Sequence, residues 1–166
     1  MSDALPPPIR PDGPFLLSHP AHTLALGLGS GLSPIMPGTV GTLFGWYSFV
    51  YLSRYLTALQ WGVVILLGFL VGIWACEKTG RDLGVADHGS MVWDEIIAIW
   101  LVLVVVMPTD TTGQMLAVFL FRFFDMLKPG PVRYIERRVK GGLGVMIDDI
   151  MAAFLTLLVI AVWQFI

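Results

Sequence analysis

Two adjacent acidic pairs, Asp94-Glu95 and Asp148-Asp149, each stand where a polar, glycine-marked segment gives way to a long apolar run. Carboxylates beside such a run are costly unless something neutralises them. A divalent cation is the simplest neutraliser. All-oxygen donors suit magnesium, which often shares a phosphate with its protein ligands. The chain has 3 histidines and 1 cysteine, a poor supply for zinc. Each pair also has a plainer reading, an anionic first turn favoured by the helix dipole. The coincidence of two such pairs is what points to a metal. Asp87 stands seven residues before Asp94; it shares that residue's face if the helix starts early, and lies in the loop above it if the helix starts nearer Gly89.

Arg122, Asp125 and Lys128 follow at spacings of three, which stacks them on one side of a helix. They form either a self-neutralising row or a working set in which Asp125 reaches a metal and Arg122 or Lys128 a phosphate. The segments Gly29-Ser30-Gly31-Leu32-Ser33-Pro34 and Gly38-Thr39-Val40-Gly41-Thr42 precede an apolar stretch. A loop of this kind, with its amides and the hydroxyls of Ser33, Thr39 and Thr42, can hold phosphate at a helix start; a re-entrant turn is the alternative. No lysine follows the last glycine, so it is not a Walker loop. His88 is either a proton donor to a leaving group or a loop cap. Cys76 lies within an apolar run and reads as core. Arg81 follows Cys76 at five residues rather than six, so the cysteine-phosphatase spacing is missing. No Asp-x-Asp nucleophile pair, CDP-alcohol phosphotransferase pattern or paired histidine-phosphatase motif is present.

Helices must position these groups. Tyr55 to Cys76 is 22 residues without a charge, and about 20 suffice to cross a bilayer. The apolar pattern predicts helices near 40–57, 60–80, 90–107, 112–127 and 148–166, with a short amphipathic helix at 130–139 that Pro131 could begin. The expected fold is therefore all-α, a membrane-embedded bundle of about five to six helices. The third and fourth runs reach spanning length only if they extend back through Asp94-Glu95 and forward to Asp125, which puts carboxylates on helix ends. Residues 1–18, with five prolines, read as a mobile tail, and 19–166 as one helical domain. The N-terminus lacks an apolar core after a basic start and does not read as a signal peptide.

Bulk composition agrees. The 166 residues are 56% hydrophobic and 13% charged, with a mean hydropathy of +0.78, against roughly 45–50% and 25% in soluble domains. A soluble helical protein with a very large core is the alternative to membrane residence. A net charge of −2 gives no polybasic field for nucleic acid. If the N-terminus lies inside, nine of the ten basic residues fall on the inner side and only Arg54 outside, the bias of cytoplasmic loops. The same threading brings the glycine segment, 87–95, 122–129 and 141–149 to one cytoplasmic face.

At these residues the chain resembles phosphatidylglycerophosphatase A. The strings that carry the likeness are Gly27 to Pro34, Pro37-Gly38-Thr39, Asp87 to Glu95, Phe121 to Pro129 and Gly141 to Asp149, in the family's order and spacing over about residues 18–160. The resemblance implies an all-helical, magnesium-dependent phosphatase of the bacterial inner membrane. Its reaction converts phosphatidylglycerophosphate to phosphatidylglycerol and phosphate in phospholipid biosynthesis. Magnesium would be held by Asp94, Glu95, Asp148 and Asp149, with Asp125. Ser33, Thr39, Thr42, Arg122 and Lys128 would grip phosphate, and Asp149 or Asp94 would take the proton from water. The basic row Arg133, Arg137, Arg138 and Lys140 would draw an anionic headgroup to the surface. Rival readings are a metal-dependent headgroup phosphotransferase, a small ion transporter with interfacial carboxylates, and a non-catalytic scaffold.

Overall fold

The computed structural model describes residues 10–107, 109–128, 130 and 138–164, and all its regular elements among these residues are helical. The elements are α1 (Gly13–Ser18), α2 (Pro20–Ala25), a 3-10 helix (Gly27–Leu32), α3 (Pro37–Leu52), α4 (Ala58–Leu83), α5 (Trp93–Val106), α6 (Thr111–Leu127) and α7 (Gly141–Gln164).

α5 is the axis. Its sequence is aliphatic all round, and such a helix must be covered on all sides. Trp93 through Trp100, Val102 and Leu103 are buried, and α3, α4, α6 and α7 all pack against it. Two indoles pin it. Trp93 donates to the Gly68 carbonyl at 2.9 Å, and Trp100 donates to the Gly45 carbonyl at 2.9 Å. Each bond satisfies an N–H that burial would otherwise orphan.

α4 begins with a capping box, in which Thr57 N–H donates to Gln60 Oε1 at 2.8 Å and Gln60 N–H to Thr57 Oγ1 at 3.4 Å. It ends at Gly84 in the left-handed region, φ 74°. Its 26 residues cover about 39 Å, more than a hydrocarbon core of about 30 Å. α4 and α7 are each long and apolar enough to cross a membrane. Both turn large apolar side chains outward, Leu66, Leu67, Leu70 and Trp74 on α4 and Phe154, Leu158 and Trp163 on α7.

The two long helices meet where Gly142 lets backbones touch. A side chain there would collide with the Ile73 carbonyl and the Glu77 amide of α4. This is why α7 starts at Gly141 and not near 148. The glycine run reads as a loop in isolation, yet it forms the first turn against α4. Asp148-Asp149 consequently lies two turns inside α7 rather than opening it.

Two further differences from the sequence reading concern the N-terminal third. Residues 13–18, placed in the mobile tail, form α1, whose start is capped by Asp12 Oδ1 accepting from Phe15 N–H at 2.9 Å. α1 and α2 are held by a long-range contact that no local pattern shows: buried His22 meets Asp82 of α4 through Nε2 at 2.8 Å, and Asp82 also pairs with Lys78. α3 starts at Pro37, so Thr39 and Thr42 are helical and not part of a loop. The amphipathic helix expected at 130–139 falls largely outside the described residues.

Candidate active site

Three helices supply one acidic cluster, and the start of a fourth closes it. α5 contributes Asp94 and Glu95 from its first turn, both buried. Val92 N–H donates to the Ala25 carbonyl at 2.9 Å and fixes where that turn begins. α6 contributes Arg122 and Asp125 from its last turns. Lys128 ends that helix in the left-handed region, φ 42°. α7 contributes Asp148 and Asp149, both buried. The start of α3 closes the fourth side: a side chain at Gly38 would stand on Glu95 Oε1 and 3.1 Å from both terminal nitrogens of Arg122.

Within this ring Arg122 Nη1 donates to Glu95 Oε1 at 3.1 Å and pairs with Asp125. Lys128 pairs with Asp148. Asp149 lies within electrostatic reach of Asp94, Asp125 and Asp148. Carboxylates gathered this closely repel unless a proton or a cation sits between them. Asp94 Oδ1, Glu95 Oε2, Asp149 Oδ2 and Arg122 Nε are buried with no hydrogen-bond partner. Leaving such groups unmade costs the full desolvation of each, so their persistence in one cluster calls for a ligand.

Among the described residues no three His, Cys, Asp or Glu side chains form an assembled metal shell. Three of the five expected ligands, Glu95, Asp125 and Asp148, pair with Arg122 or Lys128. The donors are nonetheless hard oxygens, and three of them are unpaired and buried. That is the chemistry magnesium takes.

The remaining expected residues are placed differently. Thr42 is buried and donates to the Gly38 carbonyl of its own helix at 2.9 Å, and Ser33 donates to the Ile35 carbonyl at 2.8 Å. Both hydroxyl protons are thus committed locally. Thr39 sits half-buried in the first turn of α3. His88 lies in the loop before α5, where Nδ1 accepts from Ser90 N–H at 3.1 Å. That is the loop-cap arrangement, and it leaves the ring proton on Nε2. Partial burial pushes the His88 pKa below its ordinary value, against a smaller opposing pull from Asp87. Cys76 is buried in the core beneath the cluster. Arg138 and Lys140 are exposed, while Arg133 and Arg137 lie outside the described residues.

Sequence reasoning missed two supports. One is the place of Gly38 beneath Glu95 and Arg122, since the sequence presents Gly38 only as part of a phosphate loop. The other is Glu77, whose Oε2 accepts from Gly142 N–H at 2.7 Å and whose Oε1 accepts from Arg81. It caps α7 from the side of α4; no motif marks it.

The phosphatidylglycerophosphatase A family model matches residues 23–164. The chain belongs to this family. A relative from Escherichia coli K12 named phosphatidylglycerophosphatase A is 44% identical over 140 residues, 84% of this chain and 81% of the relative. One of the same name from Haemophilus influenzae is 43% identical over 150 residues, covering 90% and 91%. A third, from Bacteroides thetaiotaomicron, is 38% identical over 146 residues, covering 84% and 90%; its name assigns it, provisionally, to phosphatidylinositol-3-phosphatases. No solved structure matches the chain. The family is one of phosphoric monoester hydrolases, so the acidic ring belongs to an enzyme.

Proposed function

We propose that this protein removes the terminal phosphate of phosphatidylglycerophosphate, giving phosphatidylglycerol, as a multi-pass enzyme of the bacterial inner membrane with its acidic ring on the cytoplasmic side. The observation that carries the reading is the set of unpaired, buried oxygens of Asp94, Glu95 and Asp149, held beside Arg122 and Lys128 in a chain of this family. A site that hydrolyses a dianionic monoester needs positive charge for its oxygens and a base for water.

Asp94, Glu95, Asp148, Asp149 and Asp125 would hold magnesium, which supplies charge neutralisation for the phosphate and eases ionisation of water. Arg122 reaches from α6 to Glu95 on α5 and is placed to grip phosphate oxygens in the planar fork that guanidinium offers. Lys128 adds a second cation from the end of the same helix. Asp149 or Asp94 takes the proton of the attacking water. The amides at the start of α3, brought close by Gly38, add donors of the kind that favour anions. Ser33 and Thr42 have no part in this account, since their protons serve the backbone. Thr39 remains a phosphate contact. His88 holds the loop that leads into α5.

A transporter would spread its acids along helices at mid-depth, whereas these gather at one end of the bundle. A phosphotransferase differs only in the acceptor. The test is release of inorganic phosphate from phosphatidylglycerophosphate by purified protein, with and without EDTA. Stoichiometric phosphate and phosphatidylglycerol, abolished by EDTA and restored by magnesium, is the expected result. Transfer of phosphate to a lipid or alcohol, with none to water, overturns it.

A further inference from the structure

At the end of the bundle away from the acidic ring, α5, α6 and α7 draw apart around an open groove of about 530 Å³, walled by Val106, Gly113, Leu116, Leu120, Val159 and Trp163 among others. Among the described residues no charged side chain lines it, and Thr109 is its polar member. The volume is that of a ligand site, and the rest of the lining suits hydrocarbon. Its two long walls are α6 and α7, the helices whose other ends carry Asp125, Lys128, Asp148 and Asp149. Counting along the helix axes, Leu120 lies about 8 Å below Asp125, and Gly113 and Trp163 lie about 20 Å below the ring.

We propose that this groove receives an acyl chain of the lipid substrate, so that a molecule whose phosphate sits at the ring is held by its tail between α6 and α7. The proposal rests on the reaction assigned above. Its occupant is argued from placement. A phospholipid monoester carries its terminal phosphate beyond a glycerol, a phosphodiester and a second glycerol, so its hydrocarbon begins some way below the ring and runs on toward mid-bilayer. The groove occupies that interval on the same two helices. Small Gly113 on one wall and large Trp163 on the other make a concave, one-sided trough rather than a flat lipid-facing surface. A chain held there would lower KM for long-chain substrates without touching the chemical step, because that contact is the same before and during phosphate transfer.

The test uses full-length protein in phosphatidylcholine nanodiscs and phosphatidylglycerophosphate carrying a diazirine at one acyl terminus. Labelling is expected on the α6 and α7 walls, competed by unlabelled long-chain substrate and not by its dihexanoyl form. Leu116→Trp and, separately, Val159→Trp should cut labelling and raise KM for the dipalmitoyl substrate roughly ten-fold, with kcat/KM for the dihexanoyl substrate within about two-fold of wild type. Labels spread over α4 as over α6 and α7, and not competed, mean bulk lipid and overturn the proposal. Equal losses on both substrates overturn it too. Phosphate release without groove labelling sinks the groove alone. Competed groove labelling with no phosphate released from either substrate sinks the assigned reaction and leaves the groove standing.

Discussion

Arg122 on α6 reaches Glu95 on α5 at 3.1 Å, and the two meet directly over Gly38 at the start of α3. Three helices are thereby keyed by one ion pair and one missing side chain. Gly38→Ala places a methyl on that pair. It should lower kcat/KM about a hundred-fold, the scale of losing one well-placed electrostatic contact, while circular dichroism shows a helical bundle. Retained activity in Gly38→Ala would show that the contact has room to relax.

Arg122→Lys keeps the charge and loses the fork. Because a guanidinium can bridge Glu95, Asp125 and a phosphate at once and an ammonium cannot, kcat/KM should fall at least ten-fold. Steady-state kinetics of the substituted enzyme gives the answer directly.

Asp94→Asn and Asp149→Asn should remove most turnover, about a thousand-fold or more if each holds the metal or the base. Both should also leave thermal stability in the absence of metal equal to wild type or higher by about 2–4 °C, since each replaces a buried carboxyl group, one of whose oxygens has no hydrogen-bond partner. Opposite signs for activity and stability distinguish a working carboxylate from a structural one. Loss of both together would make these residues scaffold.

Magnesium should stabilise the wild-type protein and not the Asp94→Asn/Asp149→Asn double variant. At a hundred times its Kd a ligand bound only to the native state adds about 2.7 kcal/mol. Thermal melts across a magnesium titration, with calcium as comparison, check this without any turnover.

His88 gives a pH prediction. Its folded pKa lies below the ordinary histidine value because of burial, so the unfolded chain takes up the proton first. The stability tied to this loop is complete above about pH 6.5 and is lost as the pH falls below that value. His88→Asn, which can still accept from Ser90 N–H, should flatten that part of the melting profile and change turnover less than about five-fold. A collapse in kcat with an altered acid limb would instead make His88 a proton donor.

The sequence was most informative where local chemistry and tertiary structure agree. The uncharged run at 55–76 leads into α4 and makes up most of it, and the Asp94-Glu95 pair opens α5. Arg122 and Asp125 pair on the last turns of α6 as their spacing dictates, while Lys128 leaves the helix and pairs with Asp148. It misled where a distant contact decides. Gly141 to Gly144 look like a loop, but the Ile73 carbonyl lies against Gly142 and Glu77 against Gly141. α1 and α2 have no periodicity worth reading, and are held by a pairing of His22 and Asp82, 60 residues apart. Thr42 has the right type for phosphate, but a helical threonine can spend its proton on the carbonyl four residues back, and it does.

The sheathing of α5 has a consequence for how such an enzyme would feel its surroundings. From Trp93 to Trp100 the helix that carries Asp94 and Glu95 is buried among other helices, so fluidity, thickness or headgroup composition of a host membrane reaches that end only through its neighbours. Changing the lipid bath should therefore alter how often substrate arrives and how long it stays. The barrier to bond cleavage, once it is bound, should be nearly indifferent.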